Sequence, residues 1–157
     1  MIRAVTSDDL EALIDLYLVS AHHHARIDPS AYRVPERSAA ATRLRRRVEG
    51  QDDRSAFVAA VADGRIVGSA TMDIEDRPHP GSMLVPLRVG EFGVSVAEAW
   101  RGQGIGSALI RHLEAWAVAN GAERIILDVS ESNSEAIRLY RALGYVGSQR
   151  IMRKDPP

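Results

Sequence analysis

Residues 89–116 read VGEFGVSVAEAWRGQGIGSALIRHLEAW, and the fold of the chain turns on how this stretch is interpreted. Phe92, Val94 and Val96 alternate with Glu91, Gly93 and Ser95, the period-2 pattern of a strand with one buried face. Ile105, Leu109, Leu113, Trp116 and Ala117 then recur at helical spacing. Between the two patterns lie Arg101, Gly102, Gln103, Gly104, Ile105 and Gly106. Glycines let the backbone bend sharply and come close to a ligand that a Cβ would keep away. The helix that follows points its unpaired N–H groups and the positive end of its dipole at the same place. A strand, a glycine turn and a helix in this order predict an anion site, most naturally for phosphate.

The type of phosphate ligand is narrowed by what is missing. In the dinucleotide fingerprint GxGxxG, Gly104 and Gly106 supply the first two glycines but Leu109 stands at the third position. The nucleotide P-loop fails because no Gly-Lys-Ser/Thr follows. The pattern present is Arg/Gln-x-x-Gly-x-Gly/Ala. A second pattern lies nearer the C-terminus, where residues 133–145 read NSEAIRLYRALGY. The two together resemble the glycine turn and the C-terminal signature N-x-x-A-x-x-L-Y-x-x-x-G-F/Y of the GNAT superfamily, the GCN5-related N-acetyltransferases. With the strand that links them they cover about half the chain.

Composition agrees with one ordinary globular domain spanning residues 1–157. Hydrophobic residues make up 45%, charged residues 26%, and the net charge is −1, so global electrostatics point to neither nucleic acid nor membrane as a partner. No apolar run is long enough to span a bilayer, and the N-terminal MIRAVTSDDLEALI lacks the basic start and apolar block of a signal peptide. The chain has no cysteine, which suits a cytoplasmic location and leaves no thiol nucleophile.

From the N-terminus, residues 2–5 form a short strand, and Thr6 with Asp9 has the spacing of a capping box. Leu10, Leu13, Ile14, Tyr17 and Leu18 give the helix that follows an apolar face. His22, His23 and His24 are adjacent, so on a helix they point about 100° apart and cannot converge on one metal. They are read as the end of that helix, where a charged imidazole suits the dipole, or as a border of the acceptor pocket together with Tyr32. Residues 38–48 predict a helix with arginines at 43, 45, 46 and 47, read as a solvated face because acidic residues follow and no aromatics are interleaved. Residues 56–62 and 65–73 are strands joined by Asp63-Gly64, a pair suited to a type I′ turn. Residues 74–88, with Pro78, Pro80, Gly81 and Pro86, read mostly as loop, either extending the hairpin or covering the active site. Residues 124–129 are a buried strand, Ser132 with Glu135 caps a last helix, and residues 145–154 close the chain as a strand or short hairpin.

The resemblance implies the GNAT fold: an α/β (α+β) arrangement with a mixed, mostly antiparallel sheet, two splayed parallel strands, and helices on both faces. It implies acetyl-CoA as cosubstrate, lying in the V between those strands, and an amine acceptor, either a small molecule or a peptide. The backbone of Val94, Ser95 and Val96 would receive the pantetheine, and the turn from Gly102 through Gln103, Gly104, Ile105 and Gly106 to Ser107 the pyrophosphate. Arg101 would add charge or, as an exposed arginine at a helix start, stay solvated, and Asn133 would contact the cofactor or serve as a helix cap. Without cysteine an acyl-cysteine route is closed, so direct attack in a ternary complex is the simplest scheme. Tyr140 matches the family tyrosine that protonates the departing thiolate. The base is either Glu91, out of phase with the core residues of its strand and with its basicity raised by burial beside the thioester, or a water chain, Glu91 then being an ordinary residue of a half-exposed strand. An amide near Val94 would stabilise the oxyanion, and Glu98 reads as a surface loop residue. After Tyr145 only twelve residues remain, fewer than the family's closing hairpin often needs, which implies that the last wall of the acceptor pocket is absent or comes from a second subunit of a homodimer. The competing readings are a non-catalytic acyl-CoA-binding module on the same fold and an unrelated nucleotide-binding α/β protein.

Overall fold

The computed structural model describes residues 1–78, 81–149 and 151–154. A short strand β1 (Ile2–Ala4) leads through a single 3₁₀ turn (Ser7–Asp9) into α1 (Leu10–Ile27). Asp9 sets this entry: its carboxylate accepts the Thr6 N–H at 2.8 Å, completing the predicted capping arrangement, and forms a two-pronged ion pair with Arg3 at 2.7 and 2.8 Å. Helix α2 (Arg37–Glu49) precedes β2 (Ser55–Ala62) and β3 (Arg65–Arg77). Asp63 and Gly64 between those strands have φ of 50° and 71°, the pair of positive values a type I′ turn demands. The chain continues through β4 (Leu87–Val96), a 3₁₀ turn (Glu98–Trp100), α3 (Ile105–Ala119), β5 (Arg124–Ile126) and α4 (Ser134–Ala142).

The strands form one sheet in the order β1-β2-β3-β4-β5, antiparallel except for the parallel pair β4–β5. Side chains alternate between two cores. On one face Ala56, Val58, Ala70, Met72, Ile74 and Phe92 pack with Leu109, Ile110, Leu113 and Ala117 of α3, and Leu139 and Tyr140 of α4 lean on the same cluster. On the other face Phe57 and Ala59 pack with Leu13 and Ile14 of α1 and Leu44 of α2. Helices α2 and α3 bury i, i+4 stripes against the sheet, Ala40 with Leu44 and Leu109 with Leu113 and Ala117, which is what the 3.6-residue pattern dictates.

Several sequence expectations are corrected. Of the segment read mostly as loop, Ile74, Glu75, Asp76 and Arg77 extend β3 and Leu87 and Arg88 open β4, so the hairpin continues into it; Pro80 lies outside the described residues. Strand β5 stops at Ile126, three residues short of the predicted end. Asn133, not Ser132, caps α4, its Oδ1 accepting the Ala136 N–H at 3.2 Å. Residues 145–149 and 151–154 contain no strand, and Arg150 lies outside the described residues. The arginine face of α2 is not wholly solvated either. Arg47 reaches both carboxylate oxygens of Asp73 on β3, at 2.7 and 2.6 Å, and its Nε and Nη2 are buried without a hydrogen-bond partner.

Candidate active site

The parallel ladder between β4 and β5 joins Val89 to Arg124, Gly90 to Ile125 and Glu91 to Ile126, and goes no further. Strand β4 continues to Val96 with β3 on one side only. The orientation of its free backbone follows from pairing parity. Ala97 N–H donates to Val67 C=O at 2.9 Å, so Ala97 faces β3, and Ser95, paired with Ser69 two residues back, faces it too. Val94 and Val96 therefore direct their N–H and C=O groups away from β3, into the gap left by β5. Of the three backbone positions anticipated here, Val94 and Val96 line the open edge, while Ser95 is committed to the ladder.

This edge runs through the 3₁₀ turn into the glycine segment. Gly102 and Gly104 have φ of 72° and 81°, values that an L side chain resists, and a Cβ at either would meet no other atom within 4 Å. Gly104 is the residue before α3, and its carbonyl accepts the Ala108 N–H at 3.0 Å. The amides of Ile105, Gly106 and Ser107 occupy the first turn of α3, where no earlier carbonyl exists to receive them. Gly106 differs from the other two: it is helical, and a Cβ there would sit 3.5 Å from Leu139 and 3.7 Å from Val96, ordinary contact distances. Its smallness is not a conformational requirement. The turn thus brings open space, the free first-turn amides of a helix and the positive end of its dipole together, the features of an anion site.

Arg101 is less free than the sequence suggested. Its Nε donates to the Val96 carbonyl at 3.2 Å, and one terminal nitrogen lies 3.5 Å from Nδ1 of His23. The guanidinium therefore ties the end of α1 to the end of β4. The histidines do lie in the last turns of α1. At His23 and His24 the environment works against the cationic form expected of a helix end: burial first, then the positive charge of Arg101, lowers the basicity of both. His24 instead packs beside the Tyr32 ring, with centroids 5.1 Å apart. Among the described residues no group of His, Cys, Asp and Glu could hold a metal ion, and no helix is long and apolar enough to cross a membrane.

Tyr140 projects from α4 into an aromatic triad, its ring centroid 5.9 Å from Phe92 and 6.0 Å from Tyr145. Burial alone raises its pKa above the usual phenol value, so its proton stays in place at neutral pH. Tyr145, by contrast, donates to Glu114 at 2.6 Å, and burial followed by that bond raises its pKa as well.

Glu91 extends from the opposite face of β4, at the last paired position before the strands part. The burial expected of it is absent. Its side chain is 38% exposed and its carboxylate receives Arg77 at 2.7 Å. On the same face Ser95 Oγ donates to Ser20 Oγ of α1 at 3.2 Å. Neither Arg77 nor Ser20 was singled out from the sequence. Each acts through a contact between elements far apart in the chain, which no local pattern records.

A model of the acetyltransferase (GNAT) family matches residues 12–145. An L-amino acid N-acetyltransferase, AaaT, of Escherichia coli (strain K12) is 32% identical over 90 residues, 55% of this chain and 50% of its own length. Streptothricin acetyltransferase of Streptomyces lavendulae is 35% identical over 98 residues, 62% of this chain and 48% of its own. The aligned stretches thus span about half of these curated relatives. Among solved structures, a mutant of the BH1408 protein from Bacillus halodurans superposes with a TM-score of 0.90 at 21% identity, covering 100% of this chain and 99% of that one. AAC(6')-Iy in complex with the bisubstrate analog CoA-S-monomethyl-acetylneamine superposes with a TM-score of 0.73 at 22% identity, covering 100% and 97%. At these identities the structural likeness shows a shared fold.

Proposed function

As the chain belongs to the acetyltransferase (GNAT) family, we propose that it is an N-acetyltransferase that passes an acetyl group from acetyl-CoA directly to an amine within a ternary complex. The single observation that carries this reading is the strand-free edge at Val94 and Val96, where among the described residues only the Val96 carbonyl is engaged, by Arg101, running straight into the two left-handed glycines. When bound, acetyl-CoA supplies an acyl group already activated as a thioester. The Val94 and Val96 edge would hold its amide-bearing arm as an added strand, with Ser95 fixing the register of that edge against β3. The amides of Gly102, Gln103, Gly104, Ile105, Gly106 and Ser107 would hold the diphosphate. Asn133, already capping α4 through Oδ1, would offer its amide nitrogen to the cofactor.

The residues assigned to proton transfer lie on opposite faces of β4. An amine with a pKa near 10 is protonated at neutral pH and must lose a proton to become nucleophilic. Glu91 is the proposed acceptor of that proton, held at the fork of the strands by Arg77. Tyr140 is the proposed donor to the departing sulfur, its phenol kept protonated by burial. The Val94 amide is the proposed oxyanion donor. The chain contains no cysteine, and direct transfer needs none. A cytoplasmic location and a homodimeric state belong to the same reading.

The test is release of free CoA thiol from acetyl-CoA across a panel of amines. The panel starts with L-amino acids and streptothricin, for which the relatives are named. Turnover on at least one amine is expected. Thermal stabilisation by acetyl-CoA with no turnover on any amine would replace this reading with that of a binding module.

A further inference from the structure

Acetyl-CoA brings strong negative charge to the glycine turn, and the structure places an unassigned imidazole beside it. His23 lies in the penultimate turn of α1. Its Nδ1 is 3.5 Å from a terminal nitrogen of Arg101, and Arg101 immediately precedes Gly102. The guanidinium is anchored by its Nε to the Val96 carbonyl, so this meeting occurs where the open edge of β4 enters the turn. The groups that act on His23 are Arg101 from the turn, His24 and Arg26 from its own helix, and Glu135 from the first turn of α4. Glu135 stands two residues past Asn133. His23 therefore lies between the two segments proposed to hold the cofactor: the glycine turn and the start of α4.

Arginine has only donors, so a hydrogen bond to Arg101 requires Nδ1 of His23 to be the acceptor, with its proton on Nε2. In this state the imidazole is neutral. Three of its four charged or titratable neighbours are basic, and the single carboxylate is Glu135. A group of basic side chains with so little counter-charge, next to convergent amides, is arranged for an anion that brings the missing negative charge. An anion at the turn would reverse the balance, because a nearby negative charge favours the protonated imidazole.

We propose that His23 is a cofactor-reading residue: as the diphosphate of CoA settles in the glycine turn, His23 takes a proton from solvent onto Nδ1, gives up the hydrogen bond from Arg101, and joins Arg101 as a second cationic contact to the diphosphate. No covalent bond changes; one proton moves from solvent to the imidazole, and it leaves again when the cofactor departs. This inference rests on the proposed acetyl-CoA site. The sign follows from linkage. In the free protein burial and Arg101 hold the imidazole below its ordinary value, and the bound anion raises it. Affinity should therefore strengthen as pH falls from about 8 toward 6, the range over which an unperturbed histidine near 6.5 begins to protonate.

The test is isothermal titration calorimetry of dephospho-CoA into the whole protein at pH 7, in two buffers of unlike ionisation enthalpy. Dephospho-CoA keeps the diphosphate and lacks the 3′-phosphate, whose own second ionisation near pH 6 would confuse the proton count. Wild type should take up about half a proton on binding, as expected when a histidine is raised from below to above neutrality. His23→Asn retains an uncharged acceptor for Arg101 and should take up none. It should bind about ten-fold more weakly at pH 6.5, the low end for one charge-assisted contact, and like wild type at pH 8.5. His24→Asn should leave the uptake unchanged. Should His23→Asn not fold, His23→Gln reads the same quantity. Binding without proton uptake in wild type, uptake that survives in His23→Asn, or uptake lost in His24→Asn would each overturn the inference alone. Absence of any binding to wild type would overturn it together with the proposed cofactor site.

Discussion

Glu91 and Ile126 are the last residues to face each other across the parallel pair β4–β5. From that rung onward, among the described residues, no strand pairs with Val94 and Val96, and only Arg101 reaches the Val96 carbonyl, while β3 continues to hold the other edge of β4. An unpaired run of backbone in the middle of a sheet is costly unless something fills it, and here it leads directly to the glycine turn. The fold concentrates two kinds of unsatisfied backbone in one groove: the edge of a strand and the first amides of a helix. A ligand with a strand-like amide arm and an anionic end suits both.

The glycines of the turn divide into two classes, and substitution should separate them. Gly104→Ala places a Cβ at φ 81° and should cost about 1–2 kcal/mol of stability, besides lowering CoA affinity at least ten-fold by reshaping the amide cradle. Gly106→Ala enters a helix at ordinary contact distance from Leu139. It should be neutral or raise stability by up to about 1 kcal/mol, with CoA affinity changed less than three-fold (about 0.6 kcal/mol). Chemical denaturation and calorimetry of both variants check this. Equal damage from both substitutions would show that the turn is not gripped as described.

The two tyrosines of the aromatic triad should behave in opposite ways. Tyr140→Phe removes the proposed proton donor and should lower kcat by about 10²-fold, with CoA affinity and melting temperature nearly unchanged. Tyr145→Phe removes a 2.6 Å bond to Glu114 and should cost about 1 kcal/mol of stability while leaving kcat within two-fold. Steady-state kinetics and thermal melts of the pair distinguish a chemical hydroxyl from a structural one. Unchanged kcat in Tyr140→Phe would remove this residue from the mechanism.

Much of this groove could be read from the chain because its parts are local. The change from period 2 to period 3.6 around Val96, the glycines between, and Asp63-Gly64 all signal their structures within a few residues. What could not be read depends on partners far away. Residues 74–77 resemble a loop, since three of the four are charged and Pro78 follows. They remain a strand because Asp76 is bound by Arg54 and Arg88, and Arg77 by Glu91, so cross-strand ion pairs stand in for an apolar face. Residues 127–129 look like strand but have no neighbour once β5 splays from β4. Ser132 and Asn133 are both competent caps, and only the position of the first helical residue chooses between them. Arg47 belongs to a basic helix face by composition, yet it is drawn inward by Asp73, 26 residues further along.

Glu91 offers a sharper test of mechanism because its ion pair already tells against a buried base. Glu91→Gln keeps the shape of the side chain and a hydrogen-bonding oxygen for Arg77, but cannot accept the proton from an ammonium. If Glu91 is the base, kcat/KM for the amine should fall about 10²-fold at pH 7, and the loss should shrink as pH rises and more of the amine is already neutral. Binding of acetyl-CoA should stay unchanged. A pH–rate profile of wild type and variant decides: parallel profiles with less than a three-fold difference (about 0.6 kcal/mol) would assign deprotonation to solvent and leave Glu91 a surface partner of Arg77.

The start of α1 makes a prediction about stability that is independent of catalysis. Asp9 is 8% exposed, and its pKa is lowered to about 2, first by the hydrogen bond from Arg3, with Thr6 adding to the effect. A folded-state value below the unfolded one near 3.9 means that the charged form stabilises the native state at every pH above the unfolded value. That contribution fades as pH falls from about 4 to about 2 and is gone once the folded carboxylate is protonated. Asp9→Asn should therefore lower stability by about 1–2 kcal/mol at pH 7, the scale of a lost helix-start carboxylate with its ion pair, and the gap from wild type should close by pH 2. Urea melts at pH 7, 4 and 2 measure it. Because Arg3 belongs to the edge strand β1 and Asp9 to the entry of α1, a gap that persisted unchanged to pH 2 would mean that the side chain serves by shape alone and that its charge does not fasten the first strand to the first helix.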